Sequence, residues 1–385
     1  MAYTKELSFS YRNPTRIVFG EGSTLNVPSE VEALGGTRAL IVTDEGLMNT
    51  DLPQRIKEAL GDKCAGIFGE VQPDSGVHIV DRGVEMAQEL GADILVSLGG
   101  GSSIDTAKAM TVVLKEGGKL ADHFLKPIEG PLMPHIAIPT TSGTGSEVTW
   151  IAVVKDHDQG VKRILLSDQL TPKLAILDPQ MTVGLPPLVT ASTGMDAMCH
   201  AVEGIASVRS EPISDAMNLH AIRLIMEYLP RCVEKGDDLL ARGQQMIAAT
   251  IAGVGFGNSL VGIVHAMAHI VGGRHGVPHG IANGILLPYG MRYNLDACPD
   301  RYALVAEAMA VREKGMSEKE AAASAVDAMW QFTKRMEHPQ RLRDVGVPKE
   351  DLEACANATL TEPSMFTNPR PGELNEILKM FQEAW

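Results

Sequence analysis

The chain has 385 residues, enough for two domains that each bury a core of their own. Charged residues at 21% and hydrophobic residues at 44% are ordinary for a soluble globular protein. The formal net charge of −14 argues against nucleic acid or an anionic membrane surface as a partner, because both would repel it. Five cysteines (Cys64, Cys199, Cys232, Cys298, Cys355) are scattered, odd in number and without a Cys-x-x-Cys pair, the pattern of reduced thiols rather than of a disulfide framework or a thiolate zinc site. No basic-then-apolar leader is visible and no apolar run reaches the length of a membrane span, so a cytoplasmic protein is expected.

Taken in chain order, the first half alternates short β-rich runs with amphipathic stretches. Residues 38–43 read as a buried strand, 52–60 as a helix, 64–68 as a second strand and 76–90 as a second helix. A strand over 93–97 runs into Gly99-Gly-Gly101, and a helix over 102–114 follows, with Ser102 as its N-cap and Asp105 completing a capping box. Residues 135–139 form another strand, ahead of Thr140-Thr-Ser-Gly-Thr-Gly-Ser146. This alternation predicts a mostly parallel α/β sheet. Past Gly184-Leu-Pro-Pro187 the pattern becomes almost wholly helical, with helices over 215–228, 238–254, 261–271, 299–309 and 317–334. The expected organisation is an α/β domain over 1–186 and an all-α domain over 187–385.

Three stretches of the first half point to a dinucleotide, each at the C-terminal end of a predicted strand, where ligands bind in such sheets. The Gly99–Gly101 turn lets the backbone approach a phosphate at a helix N-terminus, although it does not fit the Gly-x-Gly-x-x-Gly fingerprint. Thr140–Thr144 offers hydroxyls and small residues for a ribose or diphosphate. Asp44 ends its strand and suits ribose hydroxyls, and a carboxylate there repels the extra phosphate of NADP, so NAD is favoured.

The second half carries the metal signal. Four of the eleven histidines, His265, His269, His275 and His279, fall within residues 262–280. His265 and His269 share one helical face, and His279 follows a Gly-Gly break and Val-Pro where the chain turns back. Asp196 and His200 are also four apart, in an apolar run where an unpaired carboxylate is costly to bury. Asp196, His200 and two of the later histidines give an N3O donor set suited to iron(II) or zinc, with Cys199 a softer competitor one position out of register. Spacing alone does not choose between His265 and His269.

Together these stretches resemble the iron-containing (group III) alcohol dehydrogenase family. Gly99-Gly-Gly-Ser-Ser-Ile-Asp105, Thr140-Thr-Ser-Gly-Thr-Gly-Ser-Glu147, Thr193-Gly-Met-Asp-Ala-Met-Cys-His-Ala-Val-Glu203, the His265–His279 stretch and Asn368-Pro-Arg370 match its motifs in order. The likeness is greatest to its 1,3-propanediol dehydrogenase and lactaldehyde reductase branch. It implies a Rossmann-like NAD-binding domain, a helical domain of the dehydroquinate synthase-like architecture, and a metal in the cleft between them. It places the metal ligands on Asp196, His200, His265 and His279, and leaves His269 beside the reacting oxygen as a proton relay. Cofactor contacts fall on Asp44, Gly100, Gly101, Ser102, Thr140, Thr141, Thr144 and Lys162. Trp150, Ile151 and Phe256 fall at substrate-pocket positions. One departure is Pro73-Asp74-Ser75, where many members have Pro-Asn-Pro.

The expected function is therefore metal-dependent, reversible hydride transfer between a short-chain primary alcohol or diol and NAD, in a homo-oligomer of two or more subunits. The rival is an NAD- and metal-dependent carbon–oxygen lyase of the dehydroquinate synthase type, which calls for a basic cluster that the apolar segments around these motifs lack.

Overall fold

The computed structural model describes residues 7–385 except 74, 125 and 157–160. It contains two compact units, Asn13–Gly184 and Leu185–Trp385, the latter together with residues 7–12.

In the first unit the strands are β1 (Arg16–Phe19), β2 (Ala39–Asp44), β3 (Cys64–Val71), β4 (Ile94–Gly99), β5 (His135–Pro139), β6 (Ile151–Asp156), β7 (Val161–Leu166) and β8 (Leu174–Leu177). Its helices are α1 (Val27–Ala33), α2 (Leu52–Leu60), α3 (Val77–Glu89) and α4 (Gly101–Glu116). Six strands form one parallel sheet in the order β1-β8-β5-β4-β2-β3, while β6 and β7 pair antiparallel in a separate hairpin. Alternate side chains of β2 enter different cores. Leu40 and Val42 pack with Val80, Val84 and Met110 of α3 and α4, whereas Ala39 and Ile41 pack with Val31, Ile56 and Leu60 of α1 and α2. The sheet is thus covered on both faces, which is why its strands read as unbroken apolar runs.

The parallel sheet leaves Asp44 as the last residue of β2, Gly99 as the last of β4, and Thr140 directly after β5. The expected capping box at Ser102 does not form. Helix α4 starts one residue earlier, at Gly101, its N-cap is Gly100, and no side chain caps it. The carboxylate of Asp105 is engaged elsewhere, accepting from Ser146 Oγ at 2.5 Å and from the backbone N–H of Val153 at 3.0 Å. Asp74 lies outside the described residues.

The second unit is helical: α5 (Pro187–Ala206), α6 (Pro212–Glu234), α7 (Leu239–Ser259), α8 (Ile263–His275), α9 (His279–Asn294), α10 (Pro299–Ala308), α11 (Glu318–Arg335), α12 (Leu352–Thr359) and α13 (Leu374–Ala384). One apolar core runs through it, from Met195 and Val202 of α5 to Phe381 of α13. Gly272 and Gly273 do not break α8 as expected. Glycine inside a helix costs only about 1 kcal/mol, and the helix ends instead at Gly276, whose φ of +68° closes it in a left-handed cap ahead of Pro278. Among the described residues no single helix is long and apolar enough to cross a membrane.

Candidate metal centre and nucleotide cradle

Helix α5 carries Asp196, His200 and Glu203 at spacings of four and three, so all three share a face. Helix α8 contributes His265 and His269, and the turn at Gly276–Pro278 lets α9 begin on His279, with Asn283 one helical turn later. The next residue, Gly280, makes the approach of α9 to α5 possible: a Cβ there would lie 2.3 Å from the backbone oxygen of Ser192.

These elements bring Asp196, His200, His265 and His279 together, with one ligand atom from each within 4.8 Å of the others. Asp196 Oδ1 lies 3.5 Å from Nε2 of His279 and 4.0 Å from Nε2 of His265. The amide of the fully buried Asn283 donates to Asp196 Oδ1 at 2.7 Å and lies 3.3 and 3.1 Å from Nε2 of His265 and His279. Three electron-pair donors thus converge on one partly positive group. That is the environment a dication satisfies, and the N3O set fits iron(II) or zinc. Burial lowers the pKa of His265 to about 4, so its imidazole is neutral, the form that binds metals.

The opposite edge of the His265 ring is fixed by Glu203. Its Oε2 lies 2.6 Å from Nδ1, and the same carboxylate accepts from the N–H groups of Val264 at 2.7 Å and His265 at 3.2 Å. Burial pushes Glu203 up to about 7, against those N–H donors, which pull it down. A carboxylate on Nδ1 sets the tautomer that frees Nε2 for a cation. Cys199 is not a competing member of the four-residue group: its Sγ sits 3.7 Å from Nδ1, on the Glu203 edge of the ring, and burial holds its thiol well above the ordinary value. His269 packs against the cluster, stacked on His279 at 5.2 Å and edge-on to His265 at 5.8 Å between ring centroids. Phe256 stacks on His200 at 4.0 Å. His275 is elsewhere, with Nε2 2.7 Å from Asp351, a carboxylate that Arg274 also grips with two bonds.

In the Asn13–Gly184 unit the glycine turn and the threonine loop pack directly on one another. A Cβ on Gly100 would meet Thr141 at 3.2 Å, and one on Gly101 would meet Thr144 at 2.7 Å. One on Gly99 would meet Ser103, whose hydroxyl donates to Asp44 at 3.5 Å. Asp44 also accepts from the N–H of Leu47 at 2.9 Å. Ser102 lies in the first turn of α4, whose uncapped N-terminus offers N–H groups to an anion. The structure therefore assembles Asp44, Gly100, Gly101, Ser102, Thr140, Thr141 and Thr144 around three adjacent strand ends. Lys162 lies apart from these strand ends in chain order, in β7 opposite Lys155.

Two comparisons decide the family. The model for iron-containing alcohol dehydrogenases matches residues 14–179, and that for the C-terminal region of the Fe-containing alcohol dehydrogenase family matches 190–385. The chain belongs to the iron-containing alcohol dehydrogenase family. It is 36% identical over 374 residues to the NAD-dependent methanol dehydrogenase of Bacillus methanolicus, covering 96% of this chain and 98% of that protein. It is 36% identical to the lactaldehyde reductase of Escherichia coli K12, covering 95% and 97%. The crystal structure of a 1,3-propanediol oxidoreductase superposes with a TM-score of 0.95 at 36% identity, covering 98% of this chain and all of the other. As a member of this family the protein is an oxidoreductase. The lyase alternative is not favoured, since these relatives are dehydrogenases and reductases.

Three residues of the centre were not given a role by sequence reading: Glu203, Asn283 and Glu362, which lies against His269. Glu203 and Asn283 were findable in principle, being three residues after His200 and four after His279 on the same helical faces. Glu362 is 93 residues from its partner and gave no signal.

Proposed function

We propose that this protein catalyses reversible, NAD-linked oxidation of a short-chain primary alcohol or diol, reducing the corresponding aldehyde in the opposite direction, with iron(II) as its metal and zinc as the alternative. The observation that carries this reading is the convergence of Asp196 Oδ1, His265 Nε2 and His279 Nε2 on the buried amide of Asn283. Asp196, His200, His265 and His279 hold the metal. The metal, when bound, supplies Lewis acidity to an alcohol or carbonyl oxygen, and NAD supplies the hydride acceptor. His269 moves the proton between that oxygen and solvent, and Phe256 shields His200 from water.

In this reading residues 1–186 form the NAD-binding domain and residues 187–385 the metal-binding domain. Asp44, Gly100, Gly101, Ser102, Thr140, Thr141, Thr144 and Lys162 contact the cofactor. The name of the Bacillus methanolicus relative supports NAD, and the contacts among the glycine turn, the threonine loop and Asp44 support a nucleotide cradle. A cytoplasmic homo-oligomer, at least a dimer, is consistent with five free cysteines and with the exposed Ile17 and Phe19 on the edge strand β1.

The test is an NADH absorbance assay on anaerobically prepared enzyme with methanol, ethanol, 1,2-propanediol, 1,3-propanediol and butanol. It is run before chelation, after chelation, and after iron(II) or zinc is restored. NAD reduction that chelation abolishes and iron(II) restores supports the proposal. Turnover that survives complete metal removal refutes it.

A further inference from the structure

Glu362 is the least expected carboxylate near the metal centre. It lies outside every family motif identified in the sequence, and its side chain is only 8% exposed. Its two oxygens are divided between two tasks. Oε2 accepts from the N–H of Ser364 at 2.6 Å, capping the short helical turn Pro363–Thr367, and Oε1 lies 2.8 Å from Nδ1 of His269. The carboxyl stays below its ordinary range because these bonds outweigh the burial that pushes it up. A carboxylate at this distance accepts a hydrogen bond and does not donate one, so the ring keeps its hydrogen on Nδ1. Nε2 then carries the lone pair.

We propose that Glu362 is the positioning residue for His269. Together with the stacking of the ring on His279, it fixes the orientation and tautomer that make Nε2 the proton-accepting atom beside the metal centre. This inference rests on the function proposed above. The overall change converts alcohol and NAD to aldehyde and NADH and releases one proton. The two electrons leave with the hydride, and the O–H bond breaks with its proton passing to Nε2. His269, with 23% of its side chain exposed, has the solvent access needed to pass that proton on. The geometry is that of a carboxylate orienting a catalytic imidazole, where losing the orienting group costs rate rather than fold. The competing account makes Glu362 only a cap that ties residues 362–367 to α8.

Glu362→Gln separates the two, since its amide oxygen still caps Ser364 while its amide group can donate to Nδ1 and release the tautomer. The expected result is an unchanged melting temperature and iron content, a kcat lowered at least tenfold, and a KM within about twofold. Glu362→Asp should recover part of kcat. Because both residues act as a unit, adding Glu362→Gln to His269→Gln should cost nothing further. Selective ¹⁵N-histidine labelling supplies a readout independent of turnover: His269 should be the Nδ1–H tautomer in the unsubstituted protein and lose that preference in Glu362→Gln. Wild-type kcat in Glu362→Gln, or losses that multiply in the double variant, would overturn the proposal. If the unsubstituted enzyme turned over no alcohol, the functional reading would fail alone. The tautomer measurement would still decide the pairing, with an Nε2–H His269 ruling it out.

Discussion

Glu203 and His265 form a buried pair at 2.6 Å, the carboxylate on α5 reaching Nδ1 of an imidazole on α8 whose other nitrogen faces Asp196. The same carboxylate accepts from the second and third N–H groups of α8, those of Val264 and His265, so one side chain caps a helix and aims a candidate ligand. We expect Glu203→Gln to lower iron(II) affinity by about 10–100-fold, the usual effect of losing such a partner. Competition with a chelator measures it, and unchanged affinity would show that Glu203 serves the helix alone.

The two clusters of the His265–His279 stretch should respond differently to truncation. Asp351 is already held by two bonds from Arg274, and His275 adds one more contact to that carboxylate at the end of α8, beside Cys355. His275→Ala should leave iron content and kcat unchanged and cost about 0.5–1.5 kcal/mol of stability, typical of one part-buried hydrogen bond. His279→Ala should lose the metal. Equal metal loss from both would contradict this division.

Glycines in the two units make opposite predictions for alanine. At Gly101 a Cβ meets Thr144 at 2.7 Å, so Gly101→Ala should weaken NADH binding at least tenfold as the threonine loop is pushed away. At Gly273, inside α8, nothing lies within 4 Å, and Gly273→Ala should stabilise the protein by about 0.5–1 kcal/mol. NADH fluorescence titration and thermal melts check the pair.

Lys108 is fully buried, and its ammonium donates to Ser146 Oγ at 2.9 Å, Thr149 Oγ1 at 3.2 Å and the carbonyl of Ile151 at 2.7 Å. It thereby ties α4 to the segment after the threonine loop. Lys108→Met should cost about 3–5 kcal/mol, because Asp105, with only 15% of its side chain exposed, loses its countercharge. Burial lowers the Lys108 pKa from its ordinary 10.5 to about 8. Between those values the unfolded chain holds a proton that the folded chain has lost, so this group's contribution to stability rises with pH across the window. Denaturant melts from pH 8 to 10 should show the unsubstituted protein gaining on Lys108→Met, and a flat difference would contradict the assignment.

Periodic signals were readable in the sequence and long-range ones were not. The helix 52–60 and the strand 135–139 have their expected bounds, because a strong apolar period and a buried β-branched run each admit one solution. Strands β1 and β8 were missed because four-residue segments carry too little pattern, and α9 because Pro278 and Pro288 disguise a helix that starts on a proline cap. The i, i+4 pairs of Asp196 with His200 and of His265 with His269 were visible as local geometry. Which histidine nitrogens face Asp196, and that Asn283 stands among them, depends on how α5, α8 and α9 cross, and no local spacing encodes that crossing.

Every catalytic role above depends on a metal held by Asp196, His200, His265 and His279. An anomalous difference map collected at the iron edge, from crystals grown anaerobically with iron(II), addresses it directly. One strong peak is expected in the helical unit, bounded by Asp196, His200, His265 and His279, with none where His275, Asp351 and Cys355 lie together. A peak ligated by Cys199 or Glu203, or no peak among these four residues in iron-loaded crystals, would contradict it.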